Sequence, residues 1–348
     1  MKRAQGLIRT GCMSVLFLGA GPMLAQQGSS PEAGGPVLTF GISSTLSATD
    51  NYNLDPNNSE NAELFDNRLS FGYENRRAND VLSFDLSGVL RASEPPGGSR
   101  TFDDQRARIG YDRQGVNSTL SFGADYSLSS VDALDPFDDD RFFDDDPLNE
   151  GDLTQDRGDR EQIGARFSFE SGLNDPVGFI FDGRYREQTF TDTTDPDLFD
   201  TETVNLSATT RFTLSPVTET RVVLRYEDYS ADDVPQTDRQ TSSVNLGLTQ
   251  ALSKVDTLDV SVGFQEIETE ETFGGLRSVD RESGVIGNVG LSRDLTRGTI
   301  GTTFDVSESE NGRTATWLVS RDMPLPRGEF GISLGVTSDV DDSIVPVG

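Results

Sequence analysis

The chain has 348 residues, of which only 34% are hydrophobic, and its 29 Lys plus Arg face 59 Asp plus Glu for a net charge of -30. That balance excludes nucleic acid as a natural partner, because a phosphate backbone is held by clustered cations. It suits a hydrated, cation-attracting surface. With no histidine in the chain, His-dependent triads and His-ligated metals are also excluded. No P-loop or Gly-rich phosphate motif is present, so no enzymatic role and no cofactor are expected.

Residues 1–25 have the three parts of a secretory signal: Lys2, Arg3 and Arg9 in front, an apolar stretch from Met13 to Ala20, and the small Ala25 before Gln26 and Gln27. Cleavage is expected near Ala25, followed by a periplasmic lead over residues 26–36. Cys12 is the only cysteine and precedes most of the apolar stretch, which argues against a lipoprotein anchor there. The mature chain then has no cysteine and no disulfide chemistry. No later segment approaches the ~18 consecutive apolar residues of a membrane helix.

From residue 37 to 348 apolar and polar residues alternate in short segments. Leu82, Phe84, Leu86 and Leu90 share one parity, against Ser83, Asp85, Ser87 and Arg91 on the other. Side chains alternate across a strand, so each segment has one oily and one wettable face. The pattern predicts strands near 37–49, 64–74, 81–91, 104–112, 118–128, 162–170, 177–186, 203–214, 220–227, 242–250, 257–265, 283–292, 298–306, 314–321 and 328–337. Each has about the length that a tilted strand needs to cross hydrocarbon.

Short connections (75–80, 113–117, 171–176, 215–219, 251–256, 293–297, 322–327) alternate with mostly longer acidic ones (50–63, 92–103, 129–161, 187–202, 228–241, 266–282, 307–313). Outer-membrane barrels have short periplasmic and long outer connections. The fold expected is therefore an all-β, antiparallel up-and-down transmembrane barrel of about 15–16 strands, exported by the Sec route to the outer membrane. Its partners there would be outer-membrane lipid, lipopolysaccharide and the barrel-assembly machinery; the oligomeric state is not legible. The odd strand count leaves two alternatives, a poorly patterned sixteenth strand or a sequence cut from a larger barrel. The acidic stretch 338–343 and the lack of a terminal aromatic favour the second.

Phe71, Tyr73, Tyr111, Tyr126, Phe169, Tyr185, Tyr226 and Phe264 lie on the apolar parity and read as interfacial girdles, most of them beside short turns. The other parity carries Arg106, Arg108, Arg166, Arg184, Arg186, Arg211, Arg221 and Arg225, the candidate pore-lining strip, with Asp85, Asp125, Glu170, Asp182 and Asp259 among the acids. An arginine at the lipid midplane costs ~2–4 kcal/mol, so this face should line a lumen. Cross-strand ion pairs filling a polar interior are the competing reading.

The longest connection, 129–161, holds Asp138, Asp139, Asp140, Asp144, Asp145 and Asp146 with Phe137, Phe142 and Phe143 interleaved. By position, length and charge it resembles the third outer loop of general porins, which folds inward and sets an acidic rim against an arginine wall. A solvated surface loop is the alternative. The spacing does not match an EF-hand, and no metal site is assigned.

The strand rhythm, and the opening Leu46-Ser47-Ala48-Thr49-Asp50-Asn51-Tyr52-Asn53 in which a strand runs into an Asp/Asn-rich loop, resemble the β-barrel porin type 2 family of Gram-negative bacteria. The resemblance implies a porin-like passive channel for small hydrophilic solutes or ions. Some members are associated with exopolysaccharide systems, so a non-conducting structural or secretion-associated barrel is the alternative. A soluble secreted β-sandwich or adhesin is a weaker one.

Overall fold

A computed structural model describes residues 35–49, 62–91, 102–131, 158–309, 312–325 and 328–340. They form β1 (Gly35–Thr49), β2 (Ala62–Arg76), β3 (Asp80–Arg91), β4 (Phe102–Gln114), β5 (Ser118–Ser130), β6 (Asp159–Ser171), β7 (Val177–Thr191) and β8 (Thr201–Ser215). The second half continues with β9 (Thr218–Ala231), β10 (Gln236–Ala251), β11 (Asp256–Phe273), β12 (Leu276–Asp294), β13 (Thr299–Ser309), β14 (Gly312–Leu325) and β15 (Gly328–Val340). All fifteen join one sheet in sequence order, every neighbouring pair antiparallel. The predicted strands and the antiparallel up-and-down order are thus those of the structure.

The sheet is not closed: among the described residues no ladder joins β15 to β1. With an odd number of alternating strands these two edges run in the same direction.

Register is the decisive feature, since a one-residue slip would move a strand's apolar set to the other face. Phe40 pairs with Phe71, Phe71 with Leu86, Leu86 with Ala107 and Ala107 with Tyr126. Farther along, Leu206 pairs with Tyr226, Leu224 with Val244, Val244 with Phe264 and Phe264 with Val285. Phe304 pairs with Trp317 and Trp317 with Val336. The apolar parity of every strand therefore lands on one continuous face. Ring contacts knit it locally, with Phe40 and Phe71 at 5.1 Å and Phe167 and Phe181 at 6.0 Å.

The burial pattern is inside-out. The buried apolar residues that lie in strands, Val89, Val223, Ala231 and Ile267, all belong to the charged face. The apolar face stays open, with Phe40 74%, Ile42 77%, Leu246 57% and Leu334 74% exposed. Left in water, each such side chain would forgo roughly 1.5–3 kcal/mol of burial. A contiguous apolar patch of this extent marks an interaction with a membrane or another apolar surface.

Two expectations need correction. Several acidic connections read as long loops are paired strand instead. The stretch 266–282 is a hairpin in which β11 runs on to Phe273, turns through Gly274 and Gly275 at φ 58° and 82°, and returns as β12 from Leu276. Likewise 228–241 shrinks to a connection of residues 232–235, and 187–202 to 192–200. The acids misled because loops are generally hydrophilic, yet a ladder with both faces in water tolerates acids on either parity.

The second correction concerns the girdle. Tyr73, Tyr111 and Phe169 do stand beside short turns. Tyr126, Tyr185, Tyr226 and Phe264 stand a membrane crossing away, as the intervals from the strand starts Ser118, Val177, Thr218 and Asp256 show. Two aromatic rows thus bracket the apolar band. Above the upper row the same face turns acidic, and the Tyr185 hydroxyl donates to Glu187 at 2.8 Å and the Tyr226 hydroxyl to Asp228 at 2.9 Å.

Candidate lumen face

The band's height follows from single strands. On β11 the outward residues run Asp256, Leu258, Val260, Val262, Phe264, Glu266, and on β12 Arg293, Leu291, Val289, Gly287, Val285, Ser283. Polar residues bracket 257–265 and 284–292, intervals that match the ~9–11 residues of a tilted membrane-crossing strand.

On the opposite face the structure brings together all eight predicted arginines. Arg106 and Arg108 project from β4, Arg166 from β6, Arg184 and Arg186 from β7, Arg211 from β8, and Arg221 and Arg225 from β9, all on the parity opposite the apolar band. They fall into two levels with different environments.

Near the short turns, Arg211 and Arg221 stand directly opposite each other. Like charges so placed repel, but here acids intervene. Arg211 Nη1 lies 3.9 Å from Glu170 and Nε 3.8 Å from Glu219, and Nη2 donates to the Gly172 carbonyl at 3.0 Å. Arg221 crosses β10 to grip Asp259 on β11 through two bonds of 2.9 Å, while the Thr249 hydroxyl donates to the same carboxylate at 2.7 Å. This level is the cross-strand ion-pair reading realised.

At mid-height the pattern differs. Asp85 opposes Arg108, Arg108 opposes Asp125, and Arg108, Arg166 and Arg186 all act electrostatically on Asp125. Arg166 opposes Arg184 in register, so two guanidiniums leave the β6–β7 ladder side by side. The neighbouring Asp182 accepts hydrogen bonds from the Ser168 and Ser207 hydroxyls, at 2.7 and 3.3 Å. Arg166 and Arg184 are exposed, Arg186 half-buried.

Glycines make room for this layer. A Cβ on Gly123 would stand 2.8 Å from Arg166 Nε, one on Gly164 2.8 Å from Asp125 Oδ1, and one on Gly247 2.8 Å from Arg221 Nε. Each of these charged side chains thus passes over a glycine of the adjacent strand. Sequence reasoning missed these partners, together with Glu219 and Thr249. The signal was a glycine on the polar parity inside a strand, which often marks a close approach.

The wall from β10 to β15 is of another kind. At the membrane level its inward residues include Ser243, Asn245, Gly247, Ser261, Gly263, Gln265, Asn288, Gly290, Gly301, Thr303, Ser320 and Ser333, with Asp259, Asp305 and Asp322. Among the described residues of that wall, no lysine or arginine faces inward at this level. Asn288 donates to Asp305 at 3.1 Å. The candidate constriction residues Asp138, Asp139, Asp140, Asp144, Asp145 and Asp146 lie outside the described residues.

No family model and no curated protein matches the chain. Among solved structures it is similar to the ferric-catecholate import receptor Fiu from E. coli K12, with TM-score 0.49, 12% identity, 78% of this chain covered and 57% of that one. The siderophore receptor PiuA from Acinetobacter baumannii gives 0.48 and 11%, covering 87% and 57%. A loop-deletion form of OmpT, an outer membrane protein of Vibrio cholerae, gives 0.36 and 9%, covering 87% and 99%. The chain thus spans little more than half the length of the two receptors, and likeness at this level says nothing about cargo.

Proposed function

We propose that this protein is a transmembrane β-barrel of the Gram-negative outer membrane that works as a passive, porin-like channel for small hydrophilic solutes. The observation that carries the reading is the inside-out sheet. Its exposed apolar face is bracketed by two aromatic rows one strand-crossing apart, and its other face is charged. In a bilayer every backbone group of a spanning sheet must be paired, which requires that the edges left open here be satisfied by closure. Lipid and lipopolysaccharide then cover the apolar face, and the arginine face lines water. Insertion by the barrel-assembly machinery and export behind a cleaved signal belong to the same reading.

Planar-bilayer recording on the detergent-folded mature chain tests it. Discrete conductance steps are expected. A protein that inserts but gives no steps at any voltage would favour the non-conducting, secretion-associated alternative, and one that stays in the aqueous phase without detergent would favour the soluble sandwich.

A further inference from the structure

We propose that the tip of the β11–β12 hairpin carries a binding site for small organic cations with an apolar body, held at the outer mouth on the lumen side of the wall. The inference rests on the reading of the apolar band as lipid-covered, and not on conductance.

The site begins with apolar side chains that lipid does not reach. Phe273 is 65% exposed and Leu276 79%, and Val234, beside Pro235 on the β9–β10 connection, is 79% exposed. Phe273 lies nine residues past Phe264, where the apolar band of β11 ends. At ~3.3 Å per residue that is roughly 30 Å of strand, and a tilt of ~45° still leaves the tip roughly 20 Å beyond the hydrocarbon. Lipid accounts for the exposed band below. It does not account for the tip, and an exposed apolar cluster of this kind marks an interaction site.

Register fixes which way the cluster points. Phe273 pairs with Leu276 and Glu271 with Ser278, and all four carry the parity of Gln265, the lumen side. Together with Pro235 and Arg277 they line an open cavity of about 450 Å³, a volume within the range of small-molecule sites. Glu271 and Phe273 are alternate residues of one strand, so they stand ~7 Å apart along the same face. That interval suits a cation attached one or two bonds from a ring.

Charge selects the sign of the ligand. Arg277, the cation among the lining residues, is bonded to Glu270, and farther down the outward face Arg281 is held by Glu268. Glu271 has no hydrogen bond or ion pair among the described residues. Asp232 and Asp233 precede Pro235 along the connection, and Asp280 follows on β12. The cavity therefore joins an apolar cradle to one available carboxylate, on a chain of net charge -30 that draws cations toward it. A bound ammonium would sit beside Glu271 and over the Phe273 ring, where the π-face adds attraction. An anion with the same body would be repelled.

The probe is benzyltrimethylammonium, titrated by saturation-transfer difference NMR into the folded full-length mature chain in a non-ionic detergent. It should bind about fivefold more tightly than benzyl alcohol, which lacks the charge, and than tetramethylammonium, which lacks the ring. E271Q should weaken its binding about fivefold and F273S about tenfold, the ratios for losing one exposed charge partner and one apolar wall. Both positions lie at an exposed hairpin tip, so both variants should keep wild-type heat-modifiable migration. D238N, which removes an acid from the opposite face beside Glu270, should bind as wild type does. Equal binding of the three probes, or binding unchanged in either E271Q or F273S, overturns the proposal. So does a tip already covered by a second copy, seen as a dimer in sedimentation that F273S dissociates. Binding of the expected kind without conductance steps would uphold the site and sink the channel, and steps without binding would do the reverse.

Discussion

Arg221 and Asp259 show how much one contact on the charged face depends on a residue that is not there. The guanidinium reaches a carboxylate two strands away only because Gly247 has no side chain in its path. Gly247→Val should therefore displace Arg221 much as Asp259→Asn removes its partner. Each is expected to lower stability by about 1–2 kcal/mol, the range for a partly exposed charge-assisted pair. Thermal unfolding followed by heat-modifiable gel migration checks this. In the double variant the losses should fall short of additive, because both remove the same interaction. A second residue-scale test sits above the apolar band, on the β11–β12 hairpin. Glu268 accepts from Arg281 at 2.9 and 3.1 Å, and those hydrogen bonds hold its carboxyl below the ordinary glutamate value. For a depressed acid, the contact is complete above the ordinary value and is lost as pH falls through the lower folded one. An NMR titration of the Glu268 side chain should therefore place its midpoint below the ordinary glutamate value, and Arg281→Gln should raise it.

At the scale of one strand, face matters more than composition. Ser261 and Val262 are adjacent on β11, but register places Ser261 across from Gly247 and Val262 across from Leu246. Val262→Arg should cost about 2–4 kcal/mol, as an arginine near the bilayer midplane does, whereas Ser261→Arg should be tolerated in the hydrated interior. Urea unfolding in lipid vesicles would show the difference, and equal losses would contradict the assignment of faces. The strand spans were legible from alternation because the period of two survives in β11 and β12 even with glycines on both parities. The hairpin extension to Phe273 was not, because Glu266, Glu268, Glu270 and Glu271 erase the hydrophobic signal while leaving the ladder intact. The eight arginines could be assigned to one face by parity alone. Their individual partners could not, since these depend on which carboxylate or glycine lies opposite across strands far apart in sequence.

The molecule as a whole is organised by which solvent each face meets. A soluble sandwich would bury Phe40, Leu246 and Leu334 and expose arginine, whereas here the apolar side chains are the exposed ones and Val89, Val223 and Ala231 are covered on the charged side. That inversion, together with the two aromatic rows, is why the sheet is read as membrane-spanning. Cys12 is the only cysteine and lies in the signal segment, so single cysteines can be placed for spin labels along β11 of the mature chain. Electron paramagnetic resonance accessibility in vesicles then tests the central claim most directly. An inside-out sheet predicts strict alternation, with labels at Val260, Val262 and Phe264 accessible to oxygen and those at Asp259, Ser261 and Gln265 accessible to a water-soluble nickel chelate. Equal access of the chelate to both sets would contradict it.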